Sequence, residues 1–118
     1  MSMQRPTRAA RRRIAIAIAT ALVALSLPAM AQTTPVELAR KNGCLACHGM
    51  VHKQVGPGFA QIAQRYKGDD DAPARLAGKI RDGSVGTWGR VIMPRQTLVS
   101  PAEAQVLAQW VLSQPLPR

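Results

Sequence analysis

A chain of 118 residues with 47% apolar content has room for one modest folded domain, which sets aside both a disordered polymer and a large multidomain enzyme. The formal charge of +10 invites a nucleic-acid reading, yet five of the sixteen basic residues, Arg5, Arg8, Arg11, Arg12 and Arg13, gather ahead of an apolar run with no acid among them. Cys44 and Cys47 are the whole cysteine complement, and a bridge between them would close almost no loop, so a disulfide-stapled scaffold is excluded as well.

The chain opens on that basic stretch, followed by an apolar run from Ile14 to Leu27, a Pro28 breaker and Ala29-Met30-Ala31. This is the layout of a secretory signal peptide. The run is fourteen residues long, short of the roughly twenty that a bilayer-spanning helix needs. Residues 1–31 are therefore read as a leader cleaved after Ala31, and 32–118 as the mature domain. Arg11-Arg12 hints at twin-arginine export, but Ala10 and Arg13-Ile14 fit that signal poorly, which favours the general route for unfolded chains. Taking the five leader arginines from the sixteen basic residues leaves eleven against six acids, a net +5, and the nucleic-acid argument leaves with them. A mature domain this small buries little core and calls for a staple such as a metal or cofactor.

Within the mature domain, Thr34, Pro35 and Glu37 supply an N-cap, a first-turn proline and the acid of a capping box, predicting a helix to about Asn42 that Gly43 stops. A loop follows from Gly49 to Gly58. Phe59, Ile62, Ala63 and Tyr66 recur at helical spacing, and Asp71 with Pro73 opens a further helix whose Leu76, Ala77 and Ile80 share a face. Gly83, Gly86 and Gly89 around Trp88 break any period, so the stretch from Asp82 to Pro94 is predicted to be irregular, without a strand. Ser100, Pro101 and Glu103 form a second capping box for a last helix with Val106, Leu107, Trp110 and Val111 on one side. The fold class is all-α, with four helices and one domain.

Cys44-Leu45-Ala46-Cys47-His48 is the C-x-x-C-H pattern of c-type haem attachment. Two thiols three positions apart can add to the two vinyl groups of one haem, and the adjoining histidine can then bind the iron. Two other readings of the pair lack their context: a thioredoxin-type dithiol wants βαβ units, and a zinc site wants a fourth ligand, for which His52 alone is available. For the sixth iron position, Met50 and His52 lie within four residues of His48, a reach of about 14 Å that cannot round the porphyrin. Met93 is the one other methionine of the mature chain, 45 positions beyond His48 in a glycine-rich segment, and is assigned as the distal ligand. Burial of the iron among Ile62, Leu76, Ile80 and Val106 would favour its reduced form. Trp110 is expected in the core between the first and last helices, and Arg40, Lys41, Lys53, Arg90 and Arg95 as a positive rim for an acidic partner.

These residues resemble the short class I bacterial cytochromes of the c551/c552 type across nearly the whole mature chain. The matching stretches are Asn42 to His48, Val55-Gly56-Pro57, Lys79 to Ser84, Trp88-Gly89, Met93-Pro94, Glu103-Ala104-Gln105 and Trp110 to Gln114. The resemblance implies a class I cytochrome c fold, four to five short helices around one covalent haem c. It implies that the Pro57 carbonyl accepts the second imidazole N–H of His48, that Trp88 donates to a haem propionate, and that Lys79 helps neutralise the same group. Arg90 and Ile92 stand where the family often has prolines, and Gln96 where an asparagine often supports the sulfur. The function implied is a monomeric periplasmic electron carrier, not an enzyme. Its redox partners would come from quinol-oxidising complexes, terminal oxidases, nitrite reductases or dehydrogenases. The alternative is a haem c subunit whose sixth site opens, peroxidase-like or gas-sensing.

Overall fold

The computed structural model describes residues 31–118. The leader assigned to 1–31 lies, but for Ala31, outside the described residues. The first helix, α1 (Pro35–Lys41), begins where Thr34 Oγ1 accepts the Glu37 N–H at 3.3 Å and Glu37 Oε2 accepts the Thr34 N–H at 2.9 Å. Pro35 costs nothing in the first turn, where an N–H would have no partner in the helix. Gly43, at φ 71°, then takes the left-handed conformation that a glycine reaches without a Cβ clash, and the chain enters a single 3₁₀ turn over Cys44–Ala46.

Three more helices follow: α2 (Phe59–Arg65), α3 (Ala72–Asp82) and α4 (Pro101–Leu112). A second reciprocal cap opens α4, with Ser100 Oγ accepting from Glu103 N at 3.2 Å and Glu103 Oε2 accepting from Ser100 N at 2.8 Å. All three other helices pack on α4. Ala39, Ala104 and Ala108 are fully buried, and such small side chains let helices come close. Leu38, Phe59, Ile62, Leu76, Leu107 and Val111 fill the core, each worth about 1.5–3 kcal/mol on burial. Among the described residues, no polar or charged side chain is buried. None of the described helices is long and apolar enough to cross a membrane.

Three expectations need correction. The stretch predicted to be irregular contains an antiparallel hairpin, β1 (Ser84–Gly86) with β2 (Gly89–Met93), in which Gly86 pairs with Gly89 and Ser84 with Met93. Thr87 and Trp88 make its two-residue turn, with Gly86 and Gly89 at φ 92° and 105° supplying the positive φ beside it. Three- and five-residue strands that share a register irregularity are too short and uneven to write an alternating pattern. Val106 is 43% exposed, because Ala104, Leu107, Ala108 and Val111 form the inward stripe of α4 and Val106 falls beside it. Trp110 is half-buried, set edge-on to Phe59 with ring centroids 5.1 Å apart, at the wall of a cleft.

Candidate haem site

The 3₁₀ turn puts Cys44, Cys47 and His48 at the lip of that cleft, and the following loop folds back over them. The Cys47 carbonyl accepts from Gly56 N at 2.8 Å and from Val55 N at 3.1 Å, while Phe59 N donates to the Gly49 carbonyl at 2.9 Å. The loop is thereby closed against the start of α2. Its return brings the carbonyl oxygen of Pro57, a buried residue, to 2.7 Å from His48 Nδ1. A carbonyl only accepts, so Nδ1 carries the proton and Nε2 keeps the lone pair that a metal needs. The Phe59 ring stacks on the imidazole, centroids 5.1 Å apart and planes 16° from parallel. Gly56 also lies so near that a Cβ there would stand 2.9 Å from His48 Cε1.

Cys44 is half-buried and Cys47 exposed, and no disulfide joins them. Before haem attachment, burial pushes the Cys44 thiol above its usual 9.0, outweighing the lowering effect of a backbone hydrogen bond. Met93 is half-buried at the end of β2 and lines the same cleft as His48 and both cysteines. Met50 and His52 do not: they border a separate recess beside the C-terminal Gln114 to Arg118. Gln96 Nε2 donates to the Pro94 carbonyl at 3.1 Å.

At the hairpin end of the cleft, Lys79 Nζ donates to Thr87 Oγ1 at 2.9 Å and reaches Ser84 Oγ at 3.5 Å. Trp88 lines this end and is 37% exposed. Arg65 binds the turn from outside, its Nη1 donating to the Thr87 carbonyl at 3.1 Å and its guanidinium lying 4.7 Å from the Trp88 ring centroid. Arg40, Lys41, Lys53, Arg90 and Arg95 are all exposed; none lines the cleft, and Arg95 sits in a neighbouring recess with Met93 and Pro94.

The cleft holds about 1120 Å³ of open space, part of it continuous with solvent, and runs into the core, where Phe59, Ile62, Leu76 and Leu107 line it. Lys79 is the single Lys, Arg, Asp or Glu in its lining. A broad apolar space with two thiols, an imidazole with a free nitrogen, a thioether and one cation at the hairpin end fits a flat iron macrocycle with an anionic edge. Phe59 as a support of His48, and Arg65 and Thr87 at the turn, are hardly legible as site residues in the sequence. Phe59 carried a faint signal in its place two residues after Pro57; the other two carried none.

Four helices on a C-x-x-C-H turn, with the core opening into an apolar cleft, define a class I cytochrome c, and the chain belongs to the cytochrome c family: the model of that family matches residues 36–115. It carries one covalently attached haem c and serves as an electron carrier. Within the family it stands with the c-551 and c-552 cytochromes. It is 52% identical over 77 residues to cytochrome c-552 of Hydrogenobacter thermophilus, covering 65% of this chain and 78% of that one. It is 46% identical over 80 residues to cytochrome c-551 of Pseudomonas aeruginosa, covering 68% and 76%. The crystal structure of Nitrosomonas europaea cytochrome c552 superposes with a TM-score of 0.66 at 48% identity, over 68% of this chain and 99% of that one.

Proposed function

We propose that this chain is a monomeric periplasmic single-electron carrier in which His48 and Met93 ligate the haem iron and Cys44 and Cys47 anchor the ring by thioether bonds. Residues 1–31 are its cleaved export leader. The observation that carries the reading is that a pinned imidazole and a thioether line one apolar cleft. When bound, the haem supplies a one-electron iron couple. The chain holds His48 in one tautomer through the Pro57 carbonyl and keeps the imidazole basic. A Met93 thioether raises the potential by favouring reduced iron. The apolar lining keeps water out, so a change of iron charge demands little rearrangement. Trp88 and Lys79 meet the haem propionate, and the partners are other redox proteins, not a substrate to be turned over.

The test is an absorption spectrum of haem-loaded protein, oxidised and reduced, beside that of Met93→Ala. The native protein should show the weak far-red iron–sulfur band and the variant should lose it, with a lower potential. An identical oxidised spectrum and potential in the variant would sink the distal assignment.

One observation favours the alternative of an openable sixth site: the Gln96 amide donates to the Pro94 carbonyl, and no hydrogen bond to the Met93 sulfur is formed among the described residues. Rapid carbon monoxide binding by the reduced protein at neutral pH would select this reading, and indifference the carrier.

A further inference from the structure

The Thr87–Trp88 turn closes the hairpin at one end of the cleft. It is two residues long and lies between Gly86 and Gly89, which carry no side chains to brace it. Groups outside the hairpin also hold it, and two helices supply them. Lys79 of α3 holds the Thr87 hydroxyl, and Arg65, the last residue of α2, holds the Thr87 carbonyl while stacking on the indole. Neither cation is drawn aside by an acid: the one ion pair among the described residues joins Arg75 to Asp69, and no acid occurs from Ser84 to Met93. Arg65 itself does not line the cleft, whereas Thr87 and Trp88 do. Whatever it contributes to the cleft passes through them.

We propose that Arg65 is a positioning residue for the haem: by gripping the Thr87 carbonyl and the Trp88 face it fixes the indole wall of the cleft, and through that wall it sets the reduction equilibrium. The inference rests on the reading that Trp88 meets the haem. A fixed indole keeps its N–H dipole aligned on one bound group instead of averaging over several orientations. Arg65 is exposed, so its bare charge is screened by salt and acts weakly across a distance. Its main effect is mechanical and is coupled to Trp88.

The experiment measures the reduction potential of haem-loaded Arg65→Met, Arg65→Lys, Trp88→Phe and the Arg65→Met/Trp88→Phe double variant, with amide hydrogen exchange of residues 84–93. Arg65→Met should lower the equilibrium constant for reduction about threefold, the scale of an exposed cation over an indole. That is about 28 mV at 59 mV per tenfold for one electron. Arg65→Lys should recover part of the loss, hairpin amides should exchange faster in Arg65→Met, and in the Trp88→Phe background the Arg65→Met shift should fall by more than half. An equal shift in both backgrounds would make Arg65 a through-space charge and overturn the proposal. If Trp88→Phe shifts the potential and Arg65→Met does not, the role of Arg65 alone fails. If Trp88→Phe leaves the potential unmoved, the reading of Trp88 at the haem fails and takes this one with it.

Discussion

His48 Nδ1 lies 2.7 Å from the carbonyl oxygen of Pro57, nine residues on, and Gly56 between them lies close enough to the imidazole that its missing side chain leaves the ring its place. The loop thus fixes the proton, the tautomer and the plane of one side chain together. Gly56→Ala would put a methyl 2.9 Å from His48 Cε1, and either ring or loop must shift. The expected result is a loss of about 1–3 kcal/mol in unfolding free energy of the haem-loaded protein, the range for overpacking a filled site. The His48 ring resonances should move as well. Native stability and unmoved ring resonances in the variant would show that the loop yields freely.

Phe59 ties the ligand to the core. It is 4% exposed, stacked on His48 and edge-on to Trp110. Phe59→Ala should cost about 3–5 kcal/mol in guanidinium unfolding, as lost transfer energy and a cavity add together. Phe59→Leu refills most of the space and should lose clearly less, though without the stacked ring. Equal losses in the two variants would mean that filled volume is not what the ring supplies.

Gly83 controls the approach of Met93 from the other end of the hairpin. It sits at φ 83°, and a Cβ there would stand 2.9 Å from the Met93 carbonyl oxygen. Gly83→Ala combines that clash with a positive-φ, extended backbone (φ 83°, ψ 171°) that is essentially closed to side chains and costs an alanine about 1–3 kcal/mol. The variant should show faster hydrogen exchange across β1 and β2 and a weaker far-red band. Native exchange rates at Ser84 and Met93 would count against this coupling.

Both helix caps make stability depend on acid. The Thr34 backbone and hydroxyl hold Glu37 below the usual glutamate value of 4.5, and those of Ser100 do the same for Glu103, with a smaller contribution from Lys41. A carboxylate depressed by folding stabilises the fold above its unfolded value and loses that contribution as pH falls through the folded one. Glu103→Ala should therefore be less stable than the native protein at pH 7, and the gap should narrow below pH 4.5. A gap that stays constant between pH 7 and pH 3 would contradict the cap as its source.

Adjacent letters of the sequence carried the helices and the chemistry. Thr34 with Glu37 and Ser100 with Glu103 mark two helix starts because a cap acts over three residues, and Gly43 marks a stop because only its own φ is at issue. Cys44 to His48 names the cofactor because both thiols and the imidazole must reach one ring from neighbouring positions. The tertiary structure alone decided the walls of the cleft. Arg65 meets Thr87 across 22 positions, a contact that exists because the last residue of α2 reaches the hairpin turn in the fold. The hairpin escaped a pattern reading because glycines interrupt it, and Val106 turned outward because α4 presents Ala104, Leu107, Ala108 and Val111 to the other helices. Local hydrogen bonds and bond geometry act within a turn and are legible one residue type at a time. Packing depends on which surfaces meet, and that is settled only when the whole chain has chosen its neighbours.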